Sequence, residues 1–297
     1  MMYKIALIGK QFIEFIAKGF QTLISIMRIL LLSRPVSVLP KRVHENCSIL
    51  GNGPSLNASV QSDIEFIKQT DMVCVNTFAD SDYYEVLRPT NYVLIDPLFF
   101  SEKGRSVDII VNTYCAIVNK TNWNLNLFVP RTNKKAVQLQ EILAKKSNIK
   151  VVYFNYTIFE GFDFLKHFAF SKGMAMPQSQ NVMVASLFLM LNQKYKTIFL
   201  FGADHSWHEQ IVLNEDNKAV YRDLHFFDKK ELKYIVIDEI HKGKVKVTMR
   251  QQFISLSKAF YGYEVLARYA QHKNIDVLNA SKKSYIDAFE KVNVSLK

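Results

Sequence analysis

The chain has 297 residues, of which 49% are hydrophobic and 22% charged, which excludes a disordered protein and allows one large α/β core or two modest domains. Its formal charge is +11, yet residues 1–42 carry Lys4, Lys10, Lys18, Arg28, Arg34, Lys41 and Arg42 against Glu14 alone. More than half of the excess therefore sits in one apolar N-terminal segment, which suits an anionic membrane surface and argues against nucleic acid, because no basic reading face appears elsewhere.

From Ile5 to Ser33 the apolar residues fall in helical groups, interrupted by Lys10, Glu14, Lys18, Gln21 and Arg28. The interruptions prevent the run of about 18 clean apolar residues that a spanning helix normally needs. The spacing predicts a membrane-associating amphipathic helix over 1–36, with a spanning or re-entrant helix as the alternative, and a linker over 37–45. No small-residue cleavage site follows, and Arg34-Pro35 ends the helix instead.

Beyond the linker, β-rich apolar runs alternate with helical ones. Strands are predicted over 46–50, 72–76, 92–95, 126–129, 150–154, 197–201 and 275–278, and helices over 59–69, 102–118, 134–146, 179–193 and 252–272. The alternation predicts a Rossmann-like, mostly parallel α/β sheet with helices on both faces, in one unit over 46–297. Ligands of such sheets bind outside the carboxyl ends of the strands, which places Asn52, Asn76, Asp96 and Asp204 on one rim. A polar stretch over about 208–250 breaks the pattern and reads as a lid. Cys47, Cys74 and Cys115 are widely spaced with no CxxC, so they read as small buried hydrophobes, and no metal ligand set is expected.

Two stretches carry chemistry. In Ser48-Ile49-Leu50-Gly51-Asn52-Gly53-Pro54-Ser55-Leu56 a buried strand stops at a turn whose glycines admit close approach to bare backbone. Its N–H groups, the Asn52 amide and the Ser55 hydroxyl would form a concave donor set for a phosphate, the alternative being an ordinary strand-to-helix turn. In Phe199 to His208 a second strand ends at Gly202 and exposes Asp204, His205, Ser206, Trp207 and His208. Asp204 beside an imidazole would orient it, so that His205 or His208 takes a proton from a hydroxyl nucleophile. The absence of a G-x-S-x-G elbow argues against a serine hydrolase. His225, flanked by Leu224 and Phe226, is either a packing feature of the lid or a reacting group within it. Ser179 or Asn181 caps an apolar helix whose N-terminus would also suit a phosphate or carboxylate.

With GNGPSL at 51–56, Asn76, Asp-Pro-Leu-Phe-Phe at 96–100 and Gly-Ala-Asp at 202–204 in hand, residues 46–208 resemble the bacterial sialyltransferases of glycosyltransferase family 42. They also resemble the related nonulosonate-transferring and MptE-like proteins. The resemblance implies a CMP-nonulosonate donor, no required cofactor, and a glycan or lipid-linked oligosaccharide acceptor at the cytoplasmic side of the bacterial inner membrane. Carried over by position, Gly51, Asn52, Gly53, Ser55 and Asn76 would contact the donor phosphate and ribose, Asp96 would stand near the nucleotide, and Gln180 or Asn181 near the sugar. Trp207 and Tyr221 are loose counterparts of the family's phosphate-binding tyrosines. Residues 248–262 hold no counterpart of the family histidine, which leaves His205 or His225 as the base. A pyrophosphokinase using ATP, magnesium and a pterin, and a non-catalytic nucleotide-sugar binder, are the rival readings.

Overall fold

A computed structural model describes residues 2–36, 38–222, 234–236 and 248–294. In chain order, α1 (Met2–Leu32) leads to β1 (Asn46–Leu50), α2 (Leu56–Lys68), β2 (Asp71–Val75), α3 (Tyr83–Leu87), β3 (Asn91–Val93) and α4 (Asp108–Lys120). Then come β4 (Leu125–Pro130), α5 (Val137–Lys145), β5 (Ile149–Phe154), α6 (Asp163–Ser171), α7 (Val182–Asn192) and β6 (Thr197–Phe201). The chain closes with β7 (Ile211–Leu213), β8 (Ala219–Arg222), β9 (Tyr234–Val236), α8 (Met249–His272), β10 (Asp276–Asn279) and β11 (Glu290–Lys291).

The main sheet has eight strands in the order β11-β10-β6-β1-β2-β3-β4-β5, and every pairing in it is parallel. Strand residues alternate between two cores: Cys47, Ile49, Val73, Val75 and Leu200 face α7 and α8, whereas Leu50, Met72, Cys74, Phe199 and Phe201 face the side covered by α2 and α4. A sheet buried on both faces needs such continuous apolar runs, which is why the runs were legible as strands. Helix α7 is apolar all round because Val182 to Leu191 are buried throughout.

From β1 the chain winds through β2 to β5 on one side, then returns to lay β6 on the other side of β1. The β1–β6 boundary is thus the topological switch point, where the helices that follow the two strands go to opposite faces of the sheet, α2 to one and α8 to the other, and a crevice lies above the strand ends. The two informative stretches of sequence, 51–56 and 202–208, are the loops that leave those strand ends.

Several elements depart from expectation. Helices α3 and α6 and strand β11 were not predicted, the helix predicted from residue 102 starts at Asp108, and the polar stretch carries a three-stranded antiparallel sheet, β7-β8-β9. Cys47 and Cys74 are buried, with burial pushing both thiols up, but Cys115 is exposed on α4. The residues beyond α1 are pinned to the body: Arg34 and Asn155 exchange two hydrogen bonds, and the Val43 N–H donates to Asp71. Despite its charges, Gly9–Leu32 is long and apolar enough by length and composition to cross a membrane, because hydropathy averaged along the helix outweighs its few interruptions.

Candidate active site

The crevice is a cleft of about 430 Å³. Asn52, Gly53, Asn76, Asp96, Gln180, Asn181, Asp204, His205 and Trp207 all line it. Of the other residues singled out in the sequence, Gly51 and Ser55 lie in the turn beneath, and His208 is exposed with its ring against Tyr285. Tyr221 pairs through its backbone with Ile211, whereas His225 lies outside the described residues.

The turn after β1 is locked to the loop after β6. The Gly51 N–H donates to the Phe201 carbonyl at 2.8 Å and the Gly53 N–H to Gly202 at 2.9 Å. Ser55 donates from both its N–H and its hydroxyl to the Asp204 carboxylate, at 2.9 and 2.6 Å. No side chain fits at either glycine: a Cβ on Gly51 would stand 2.6 Å from the Gly202 oxygen, and one on Gly53 would stand 2.3 Å from Asp204 Oδ1. Gly202 itself holds φ at +60°, the region where glycine is strain-free.

This geometry corrects the reading of the turn as a phosphate cradle. The backbone donors at Gly51, Gly53 and Ser55 and the Ser55 hydroxyl are spent within the protein, and the Asp204 carboxylate they hold would repel a phosphate. Burial pushes the Asp204 carboxyl up, while the two Ser55 bonds oppose that shift. The hydrogen bonds of the Asp204 carboxylate come from Ser55, and the ring of His205 bonds to Tyr263 instead.

The unspent polar atoms sit higher in the cleft. Asn52 donates its amide to the Val75 carbonyl and the Thr77 hydroxyl, which turns its Oδ1 toward no protein partner. Asn76, held at φ 43°, likewise leaves its Oδ1 buried and unpartnered. At the N-terminus of α7, Asn181 caps Val184 through Oδ1 at 3.0 Å and leaves its Nδ2 buried and unpartnered. Buried polar groups without partners are uncommon, and four line this cleft, Gln210 Oε1 being the fourth; they mark places where a ligand or water completes the set. The cleft therefore has an acceptor wall at Asn52 and Asn76 and a donor wall at Asn181, where the positive end of α7 adds to it. Asp96 spends Oδ1 on the Leu98 N–H at 2.9 Å, capping the turn at the cleft's edge.

His205 is buried, with its ring 4.3 Å from that of Trp207, and it too adopts positive φ at 53°. Its Nε2 lies 2.6 Å from the hydroxyl of Tyr263 on α8, and that hydroxyl donates to Asn181 Oδ1 at 3.2 Å. Tyr263 has one proton; both contacts are filled when it goes to Asn181 and His205 donates Nε2–H to the tyrosine oxygen. The lone pair of the imidazole is then on Nδ1. Sequence reasoning missed Tyr263, Thr77 and Ser281, whose Oγ accepts the Ala203 N–H at 3.0 Å. Ser281 had a local signal in the Asn279-Ala280-Ser281 turn, whereas Tyr263 had none, being one tyrosine of a long helix.

Burial holds the His205 ring down to about 3 from its ordinary 6.5, so it is neutral at pH 7. Between those two values the unfolded chain binds the extra proton, so this group's contribution is complete above pH 6.5 and is lost as pH falls toward 3. His205→Gln is accordingly expected to flatten the acid limb of a denaturation-against-pH profile, by about 5 kcal/mol at most. An unchanged acid limb would show that the ring is not buried and neutral.

No family profile and no curated protein matches this chain. Among solved structures, the chain is similar to the MAf glycosyltransferase from Magnetospirillum magneticum AMB-1, at 12% identity and a TM-score of 0.49 over 90% of this chain. The match covers 36% of that protein, so this chain spans about a third of its length.

Proposed function

We propose that the cleft binds a CMP-sugar and that the protein is an inverting glycosyltransferase moving sialic acid, or a related nonulosonic acid, to a hydroxyl of a glycan acceptor. The observation that carries this is the polarity of the cleft, with buried acceptors at Asn52 and Asn76 facing a buried donor and a helix end at Asn181. Ribose hydroxyls or the cytosine amine satisfy the first wall, and the departing phosphate is stabilised by the second. The sequence resemblance supplies the choice of cytidine over other nucleotides and of a nonulosonate over other sugars. No cofactor has a step in this scheme; helix end and amide meet the charge that develops on the phosphate.

His205 is the proposed base. Its neutral ring has a lone pair free on Nδ1 when Nε2–H donates to the Tyr263 oxygen, and a phosphate in the cleft raises the affinity of the ring for an incoming proton. The bound donor thus prepares the base that activates the acceptor. The apolar, basic α1 would keep the enzyme at the cytoplasmic side of the inner membrane, where lipid-linked glycan acceptors lie.

The assignment of walls is tested by comparing cytidine with CMP. Asn181→Ala is expected to weaken CMP roughly tenfold in calorimetry while leaving cytidine within about twofold, the loss of one hydrogen bond to a charged group. Equal losses for both ligands would place the phosphate elsewhere.

A further inference from the structure

Helix α1 is built inside out. Thr22, Ser25, Ile29 and Ser33, spaced along one stripe, face the body, and Thr22 and Ser25 are 5% and 1% exposed. The stripe bonds to loop backbone: the Phe162 N–H donates to Thr22 Oγ1 at 3.0 Å, the Glu160 N–H to Ser25 Oγ at 2.9 Å, and Ser33 Oγ donates to the Met174 carbonyl at 2.6 Å. Gly161 makes this approach possible, since a Cβ there would meet Thr22 Oγ1 at 2.0 Å. The opposite stripe, including Phe20, Leu23, Met27, Leu30 and Leu31, is exposed, with Leu30 at 74%. A helix on a water-soluble body shows the reverse, whereas a helix in lipid packs on protein through small residues and turns its large apolar ones outward.

The apolar surface does not stop at α1. Phe15 lies 5.2 Å from Phe162, which stacks 6.4 Å from Phe164 on α6. Phe164 and Phe168, one helical turn apart on α6, are 71% and 55% exposed. Basic groups flank this surface: Lys10, Arg28 and Arg34 on or just beyond α1, and Lys172 with its Nζ 5.9 Å from the Phe168 ring. A charged cluster adjoins it, where the buried Lys166 lies 3.1 Å from Asp163 and 3.9 Å from Glu160, beside Lys18 of α1.

We infer that α1 and α6 together form one monotopic face that lies in the plane of an anionic bilayer, with Phe164 and Phe168 as the second point of insertion. This deepens the membrane location given above and commits it to one geometry. Set upright, α1 would drag Glu160, Asp163 and Lys166 into hydrocarbon, because its docked stripe is bonded to the loop that carries them. Lying flat, it puts only the apolar stripe and the two phenylalanines into the lipid, with Lys10, Arg28, Arg34 and Lys172 at the level of the headgroups.

The test uses the full chain, with Cys115→Ser to remove the exposed thiol, and vesicles of phosphatidylethanolamine with phosphatidylglycerol against vesicles of phosphatidylcholine alone. Nitroxides are attached through Leu23→Cys, Leu30→Cys, Phe164→Cys and Phe168→Cys in turn. The inference expects binding to the anionic vesicles, a common shallow depth at all four positions, and about tenfold or more weaker partitioning for the Phe164→Ser, Phe168→Ser double variant. Depth that increases steadily along α1 with the α6 labels in water would overturn it in favour of a spanning helix. Absence of vesicle binding with concentration-dependent self-association would overturn it in favour of a protein partner. CMP titration of the same samples separates the two proposals, since loss of lipid binding with CMP binding intact defeats only this one.

Discussion

Gly53→Ala is expected to abolish nucleotide binding and to lower stability by about 3 kcal/mol or more, a fall in Tm of roughly 6 °C or more. The added carbon would overlap Asp204 Oδ1 at 2.3 Å, the Gly202 oxygen at 2.5 Å and the Asp204 Cγ at 2.7 Å. Two of those atoms belong to the carboxylate that grips Ser55, and the third is the acceptor for the Gly53 N–H, so there is no flexible side-chain end to yield. Relief requires the loops after β1 and β6 to separate, which moves Asn52 on one side and His205 on the other. Gly9→Ala is the control, since nothing lies within 4 Å of its added carbon and alanine favours a helix. Calorimetric titration with CMP and thermal unfolding of both variants check the expectation; a Gly53→Ala protein that melts and binds like the wild type would mean that the lock between the loops is not rigid.

His205→Ala is expected to lower transfer by roughly 10² to 10⁴, with CMP affinity changed only severalfold. In the proposed mechanism the base acts on the acceptor, so removing it would leave the proposed donor contacts with Asn52, Asn76 and Asn181 in place. Tyr263→Phe should cost less, because the ring keeps its position among Trp207, Phe260 and α8 while losing the 2.6 Å contact that fixes its tautomer. The expected signature is a lower kcat at little-changed donor KM, with the pH dependence of transfer altered. A His205→Ala enzyme retaining wild-type transfer and CMP affinity would remove His205 from the mechanism.

The parallel sheet was readable because its inner strands are buried on both faces, so they appear as short β-rich apolar runs, most of them ended by a glycine, asparagine or aspartate, whereas the exposed, charged β11 was not readable. Those polar ends also revealed the cleft, since Asn76 follows β2 directly, and Asn52 and Asp204 follow β1 and β6 after one or two small residues. What the residues do with their hydrogen bonds was not readable. Ser55 and Asp204 lie 149 positions apart, and their pairing converts an apparent phosphate turn into a lock between loops. Tyr263 reaches His205 across 58 positions from a helix whose own period gives no hint of it. Helix α6 was missed for a different reason: its exposed Phe164 and Phe168 disrupt the polar face by which a surface helix is normally recognised. The same inversion in α1 left its apolar residues legible and its docked stripe of Thr22, Ser25 and Ser33 unnoticed.

The central claim, that the switch-point cleft is a CMP-sugar donor site, is tested most directly by calorimetric titration of the full chain with CMP, UDP and ATP, each with magnesium and with chelator. CMP is expected to bind equally well in both buffers, UDP to bind more weakly, and ATP to give no saturable heat. Binding of ATP that depends on magnesium, with none of CMP, would contradict the claim.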